Sequence, residues 1–181
     1  MRRRTFVTMS IAALLAGGAR AQSPSPAALD ALLAQRDCER LSVIYAHAFD
    51  FNEGHKLKDI FVENGKLILS IAELKSAAEI AAFADKRAHE MKSGEFTASR
   101  GNKRAAMIGQ HVITNYQFEM IDATHARARA YLTLLMWPEG ERRVDSLAPS
   151  LAGFFEDKYV KTPQGWRFEE RKLTSTRSGM L

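Results

Sequence analysis

Apolar residues recur at intervals of three and four from Leu29 onward: Leu29, Leu32 and Leu33, then Leu41, Ile44, Tyr45, Ala48 and Phe49. That spacing lines them along one side of a long α-helix. Ser25-Pro26 predicts its start, with serine as the N-cap and proline at the first helical position, and Asn52-Glu53-Gly54 predicts its end. A short amphipathic segment, Leu57 to Phe61, leads through Asn64-Gly65 into residues 66–71, whose aliphatic content reads as a strand. Ser76-Ala77-Ala78-Glu79 has capping-box spacing and opens a second helix with Ile80, Phe83, Ala84 and Met91 on its buried side. Residues 92–104 read as a polar loop.

The last third of the chain changes period. Residues 107–121, 126–137, 147–161 and 166–174 are long strand candidates, separated by turn chemistry at Asp122-Ala123-Thr124, Pro138-Glu139-Gly140 and Thr162-Pro163-Gln164-Gly165. Turns this short imply an antiparallel meander. Pro149 cannot donate a ladder hydrogen bond, so it belongs at an edge or a bulge. Helices first and a curved antiparallel sheet second is an α+β layout, which buries both apolar faces by wrapping the sheet around the long helix and leaves a pocket between them.

Strand parity bears on the chemistry. In the first long strand His111 alternates with Met107, Gly109, Ile113, Asn115 and Glu119, whereas Ile108, Val112, Tyr116, Phe118 and Met120 form the plainly apolar side. Without a bulge, His111 and those side chains face opposite ways. Tyr131 shares a face with Arg127, Arg129 and Trp137, which predicts an outer sheet surface suited to a homodimer partner. Asp157 and Tyr159 lie on the strand before the Gly165 turn and Arg171 on the strand after it, where opposite charges stabilise pairing across a ladder. Trp166 reads as packing.

The N-terminus alters how the charge is read. Of 26 Lys and Arg residues against 21 Asp and Glu, four arginines (Arg2, Arg3, Arg4, Arg20) lie in the first 21 residues, which contain no acid. Without them the net charge falls from +5 to about +1, too little to drive nucleic-acid binding. Arg3-Arg4-Thr5-Phe6-Val7, a weak apolar run at 11–16 and Ala19-Arg20-Ala21 predict a twin-arginine-type signal peptide over residues 1–21, cleaved before Gln22. The expected organisation is therefore signal 1–21, tether 22–28, domain 29–176 and tail 177–181. The expected location is periplasmic or secreted, reached through the twin-arginine translocation machinery. No apolar run reaches the roughly 20 residues a membrane span needs. The single cysteine, Cys38, rules out an intrachain disulfide.

No glycine-rich phosphate loop or Gly-x-Ser-x-Gly elbow is present, and the five histidines lack metal-ligand spacing, so neither cofactor nor metal is expected. Four stretches together resemble the SnoaL-like, nuclear-transport-factor-2-like family. They are Asp37 to Asp50, ending Tyr45-Ala-His-Ala-Phe49-Asp50; Leu57 to Phe61 before Asn64-Gly65; Gln110-His111-Val-Ile-Thr-Asn115; and Asp157-Lys-Tyr159 with Gly165-Trp166-Arg167-Phe168 and Arg171. The resemblance implies a cone-shaped, cystatin-like α+β barrel, a fold shared by scytalone dehydratase and ketosteroid isomerase relatives and by members that only bind ligands.

It also implies candidate residues. Asp50 stands where the family places an acid at the pocket mouth, and His111 matches a strand histidine that dehydratase-like members turn into the pocket; Asp50 also reads as a helix-end residue bonding nearby amides. Tyr45, Phe49, Leu69, Asn115 and Leu132 are the expected binding residues, Asn115 serving either a ligand or a sheet edge. Phe49, Leu69 and Leu132 replace two tyrosines and a second histidine of the dehydratase. Two functions follow: a cofactor-independent lyase or isomerase acting on a small, apolar, cyclic molecule through Asp50 and His111, or a non-catalytic small-molecule-binding or assembly module.

Overall fold

Ser25 begins the first helix as expected: its Oγ accepts from the Ala28 N–H at 3.2 Å, with Pro26 next in line. The computed structural model describes residues 25–140 and 149–176. The expected signal at 1–21, the start of the tether and the tail at 177–181 lie outside the described residues. Helix α1 (Pro26–Asp50) buries residues only from Ala34 on; Leu29, Leu32 and Leu33, read as part of its buried stripe, stand exposed. The helix stops because Asn52 takes a left-handed conformation (φ 59°), which lets the Glu53 N–H reach back to the Ala48 carbonyl at 2.8 Å.

A 3₁₀ turn (Gly54–Asp59) follows. A Cβ at Gly54 would run into the Asp85 carboxylate and the Ala81 carbonyl, so only glycine lets the second helix pass this closely. The remaining elements are β1 (Phe61–Leu69), β2 (Ala72–Leu74), α2 (Ala77–Ser93), a single turn α3 (Glu95–Ala98), β3 (Met107–Met120), β4 (His125–Pro138), β5 (Pro149–Thr162) and β6 (Gly165–Ser175). Ser76 caps α2 by accepting from Glu79 N–H at 3.1 Å, and the Glu79 carboxylate answers by accepting from Lys75 N–H at 2.8 Å.

The six strands form one curved, unclosed sheet in the order β2-β1-β6-β5-β4-β3. The meander β3 to β6 is antiparallel as expected, but β1 joins β6 in parallel, which corrects the expectation of a wholly antiparallel sheet. Asn64-Gly65, read as leading into a strand at 66–71, lies inside β1 at an irregularity in its pairing with β6. Pro149 is the first residue of β5, beside a register shift, a position that needs no amide donor.

The decisive irregularity is in β3. Thr114 pairs with Tyr131 and Gln117 with Arg129, so Asn115 and Tyr116 together oppose Ala130. Asn115 carries the strain of this bulge at φ 54°. The extra residue reverses the alternation, which puts His111 and Ile113 on the same inner side as Tyr116, Phe118 and Met120. The parity conflict in the sequence is removed.

The space between helix and sheet, expected to be hollow, is packed. Tyr45, Phe155, Tyr159 and Phe168 fill it, all at most 2% exposed, and burial of such side chains stabilises by about 1.5–3 kcal/mol each. Leu132 is buried in this core and Leu69 packs against it. No helix among the described residues is long and apolar enough to cross a membrane.

Candidate active site

Helix α1 ends beside the free edge of the sheet, and this seam brings Asp50 and His111 together. The Asp50 carboxylate accepts the backbone N–H of His111 through both oxygens, at 3.0 and 3.1 Å, and its Oδ1 lies 2.6 Å from His111 Nδ1. A carboxylate at a helix C-terminus faces the negative end of the helix dipole, so these donors from the edge strand offset an otherwise poor position. With Asp50 ionised, Nδ1 carries the hydrogen and Nε2 is left as a lone-pair acceptor. The Phe49 and Tyr45 rings hold the imidazole in place, with centroids 5.6 and 6.1 Å from it. Both members of the pair are mostly buried, with side chains 10% (Asp50) and 14% (His111) exposed.

The pair opens into a half-open groove of about 550 Å³ between α1 and β3, with Ala46 and Ile113 on its walls and Trp137 at one end. This size suits a small organic molecule. Of the expected binding residues, Asn115 lines the groove at the bulge. Tyr45 and Phe49 stand behind the imidazole as supports, while Leu69 and Leu132 belong to the packed interior, away from the groove. Tyr131 is 54% exposed on the outer sheet face, where Arg129 lies over the Phe154 ring at 3.9 Å.

Among the lining residues that the sequence reading missed are two hydroxyl-bearing side chains tied to the interior, Ser42 and Tyr116. Ser42 accepts from Arg171 Nη2 at 2.7 Å, and Arg171 holds Asp157 through two further bonds at 2.7 and 2.8 Å. Tyr116 donates to the Tyr159 hydroxyl at 2.9 Å, which donates to Asp157 at 3.0 Å. The cross-strand pair expected of Asp157 and Arg171 is thus present, but it is buried and reaches the groove at both ends. Ser42, two helical turns before Asp50, was the available signal. Among the described residues no group of three or more His, Cys, Asp or Glu side chains is arranged to hold a metal.

The family model for SnoaL-like domains matches residues 30–172. The chain belongs to this family. Solved structures similar to this SnoaL-like domain include an NTF2-like protein with a cystatin-like fold from Novosphingobium aromaticivorans, with 19% identity, a TM-score of 0.65 and coverage of 84% of this chain and 88% of that one. A protein from the same organism proposed to be a scytalone dehydratase gives 18%, 0.62, 82% and 87% for the same measures. A hexachlorocyclohexane dehydrochlorinase, LinA type 2, gives 15%, 0.64, 82% and 89%. At these identities the likeness establishes the fold of the SnoaL-like domain. No curated protein matches the chain.

Proposed function

We propose that this SnoaL-like domain is a cofactor-independent lyase or isomerase that removes a proton from carbon in a small cyclic molecule. The observation that carries the reading is the 2.6 Å contact between Asp50 and His111 at the wall of a groove. His111 Nε2 takes the proton and Asp50 stabilises the resulting imidazolium. The electron pair of the broken C–H bond either forms a double bond as a leaving group departs from the next carbon with its bonding pair, or is reprotonated elsewhere by the imidazolium. Two of the similar structures carry names of eliminating enzymes, a dehydratase and a dehydrochlorinase, which supports the first outcome.

Exchange of the acidic C–H of β-tetralone for deuterium, followed by proton NMR, tests the base without knowledge of the natural substrate. His111→Ala is expected to slow catalysed exchange by about 10²–10⁴-fold and Asp50→Asn by a similar order, with melting temperatures showing both variants folded. Exchange that persists in both variants defeats the mechanism. A binding module is the competing reading, favoured by Phe49, Leu69 and Leu132, which supply no second acid or base; it requires ligand binding with no exchange in the unaltered protein.

We further infer export through the twin-arginine route, supported by Arg3-Arg4-Thr5-Phe6-Val7 and Ala19-Arg20-Ala21. N-terminal sequencing of the exported protein is expected to begin at Gln22, and replacement of both Arg3 and Arg4 by Lys is expected to leave the chain uncleaved in the cytoplasm. Unchanged export of that variant counts against the route.

A further inference from the structure

The groove holds a second imidazole. His47 lies one helical turn before Asp50 on α1 and lines the same cavity as His111. Its ring makes no hydrogen bond among the described residues, so both nitrogens are open. The ring stands edge-on to that of Phe51, with centroids 5.3 Å apart and planes at 82°. Phe51 follows the last residue of the helix and lines the groove as well. This contact turns the imidazole toward the Asp50 end, against the backward lean that helical side chains ordinarily take. Side chains three apart on a helix have Cβ atoms about 5–6 Å from each other. Because Asp50 in turn holds His111 at 2.6 Å, the two imidazoles border one small volume.

The other ionisable side chains on the groove are engaged or distant. Tyr116 has given its hydrogen to Tyr159, and burial holds its hydroxyl well above the ordinary tyrosine range. Asp50 is taken up by His111. Glu39 lies eleven residues before Asp50, about 16 Å along the axis at ~1.5 Å per residue. An elimination needs such a free group when the departing atom is oxygen: hydroxide leaves poorly, and far more readily when it takes up a proton as its bond to carbon breaks.

We propose that His47 is the general acid of this site, protonating an oxygen leaving group on the carbon next to the one that His111 deprotonates. As His111 Nε2 takes the proton, the pair of the C–H bond forms the double bond. The C–O bond breaks with its pair going to oxygen, and the His47 proton completes a molecule of water. His111 then releases its proton to solvent and His47 takes one up, so the cycle closes without an oxidant or reductant. The assignment rests on the reading of His111 as a base and adds to it the residue that serves the departing atom.

The test uses β-hydroxycyclohexanone and its acetate ester, which eliminate to the same cyclohexenone. Growth of the enone's ultraviolet absorbance is followed above the spontaneous rate. Acetate departs without a proton and hydroxide does not, so the ratio of the alcohol rate to the ester rate reports the acid alone. That ratio is expected to fall at least about tenfold in His47→Gln and to recover in part when imidazole is added to the buffer. His89→Gln, at an exposed histidine of α2 outside the groove, is expected to leave the ratio unmoved. His47 is itself exposed and glutamine is a good helix former, so the variant keeps its fold. A ratio that His47→Gln does not lower, or an unaltered protein that exchanges β-tetralone yet forms no enone from the alcohol, would overturn the acid and leave the base standing. Absence of β-tetralone exchange in the unaltered protein removes the base, and the acid with it.

Discussion

Arg171 is fully buried, with its guanidinium carbon 4.1–4.5 Å from the centroids of Phe155, Phe168 and Tyr45. Burial works against its charge, but the adjacent Asp157 carboxylate more than offsets this and holds the guanidinium above its usual range. Nη1 has no hydrogen-bond partner and is left to the ring faces, which attract positive charge. Around this centre burial raises the hydroxyls of Tyr45, Tyr116 and Tyr159 above the ordinary tyrosine range. A raised folded-state value favours the neutral form, so their contribution to stability is complete below about pH 10, where the unfolded chain begins to ionise, and is lost as pH climbs toward the folded values. Alkaline titration followed by ultraviolet absorbance is therefore expected to show three of the four tyrosines ionising together with loss of tertiary structure; gradual ionisation of these three in a folded chain would contradict it.

At the level of elements, the β3 bulge decides which side chains share a wall. Asn115 tolerates φ 54° because its short polar side chain suits a left-handed backbone, whereas a β-branched residue does not. Asn115→Val is expected to cost about 1–3 kcal/mol, seen as a lower melting temperature, while Asn115→Gly keeps the native conformation; equal melting of both variants would refute this. The capped start of α1 and the opening of α2 were legible because capping is local chemistry. The bulge was not. Both faces of this strand carry apolar residues, Ile108 and Val112 on one and Ile113 on the other, so a one-residue phase change leaves no mark in the pattern. The stretch read as a polar loop, 92–104, hides α3, and β2 went unseen, because elements of three or four residues carry too little periodicity to register.

At the scale of the whole molecule, the order of helices before strands was enough to give the α+β layout, since few arrangements bury both apolar faces. The hollow was harder to place. Whether Tyr45, Phe155 and Phe168 line a void or fill it depends on how side chains from four elements interlock, and no single segment encodes that. They fill it, and the cavity moved outward to the seam between α1 and β3. Along that seam, among the described residues, the hydrogen bonds joining helix to edge strand all run through Asp50 and His111. Breaking those contacts by lifting the helix tip would leave the sheet's own ladder intact and, on the proposed mechanism, disarm the imidazole. On the proposed mechanism, exchange activity and the seating of that last turn are expected to rise and fall together, so a molecule wedged under the tip is expected to inhibit without ever touching a ligand.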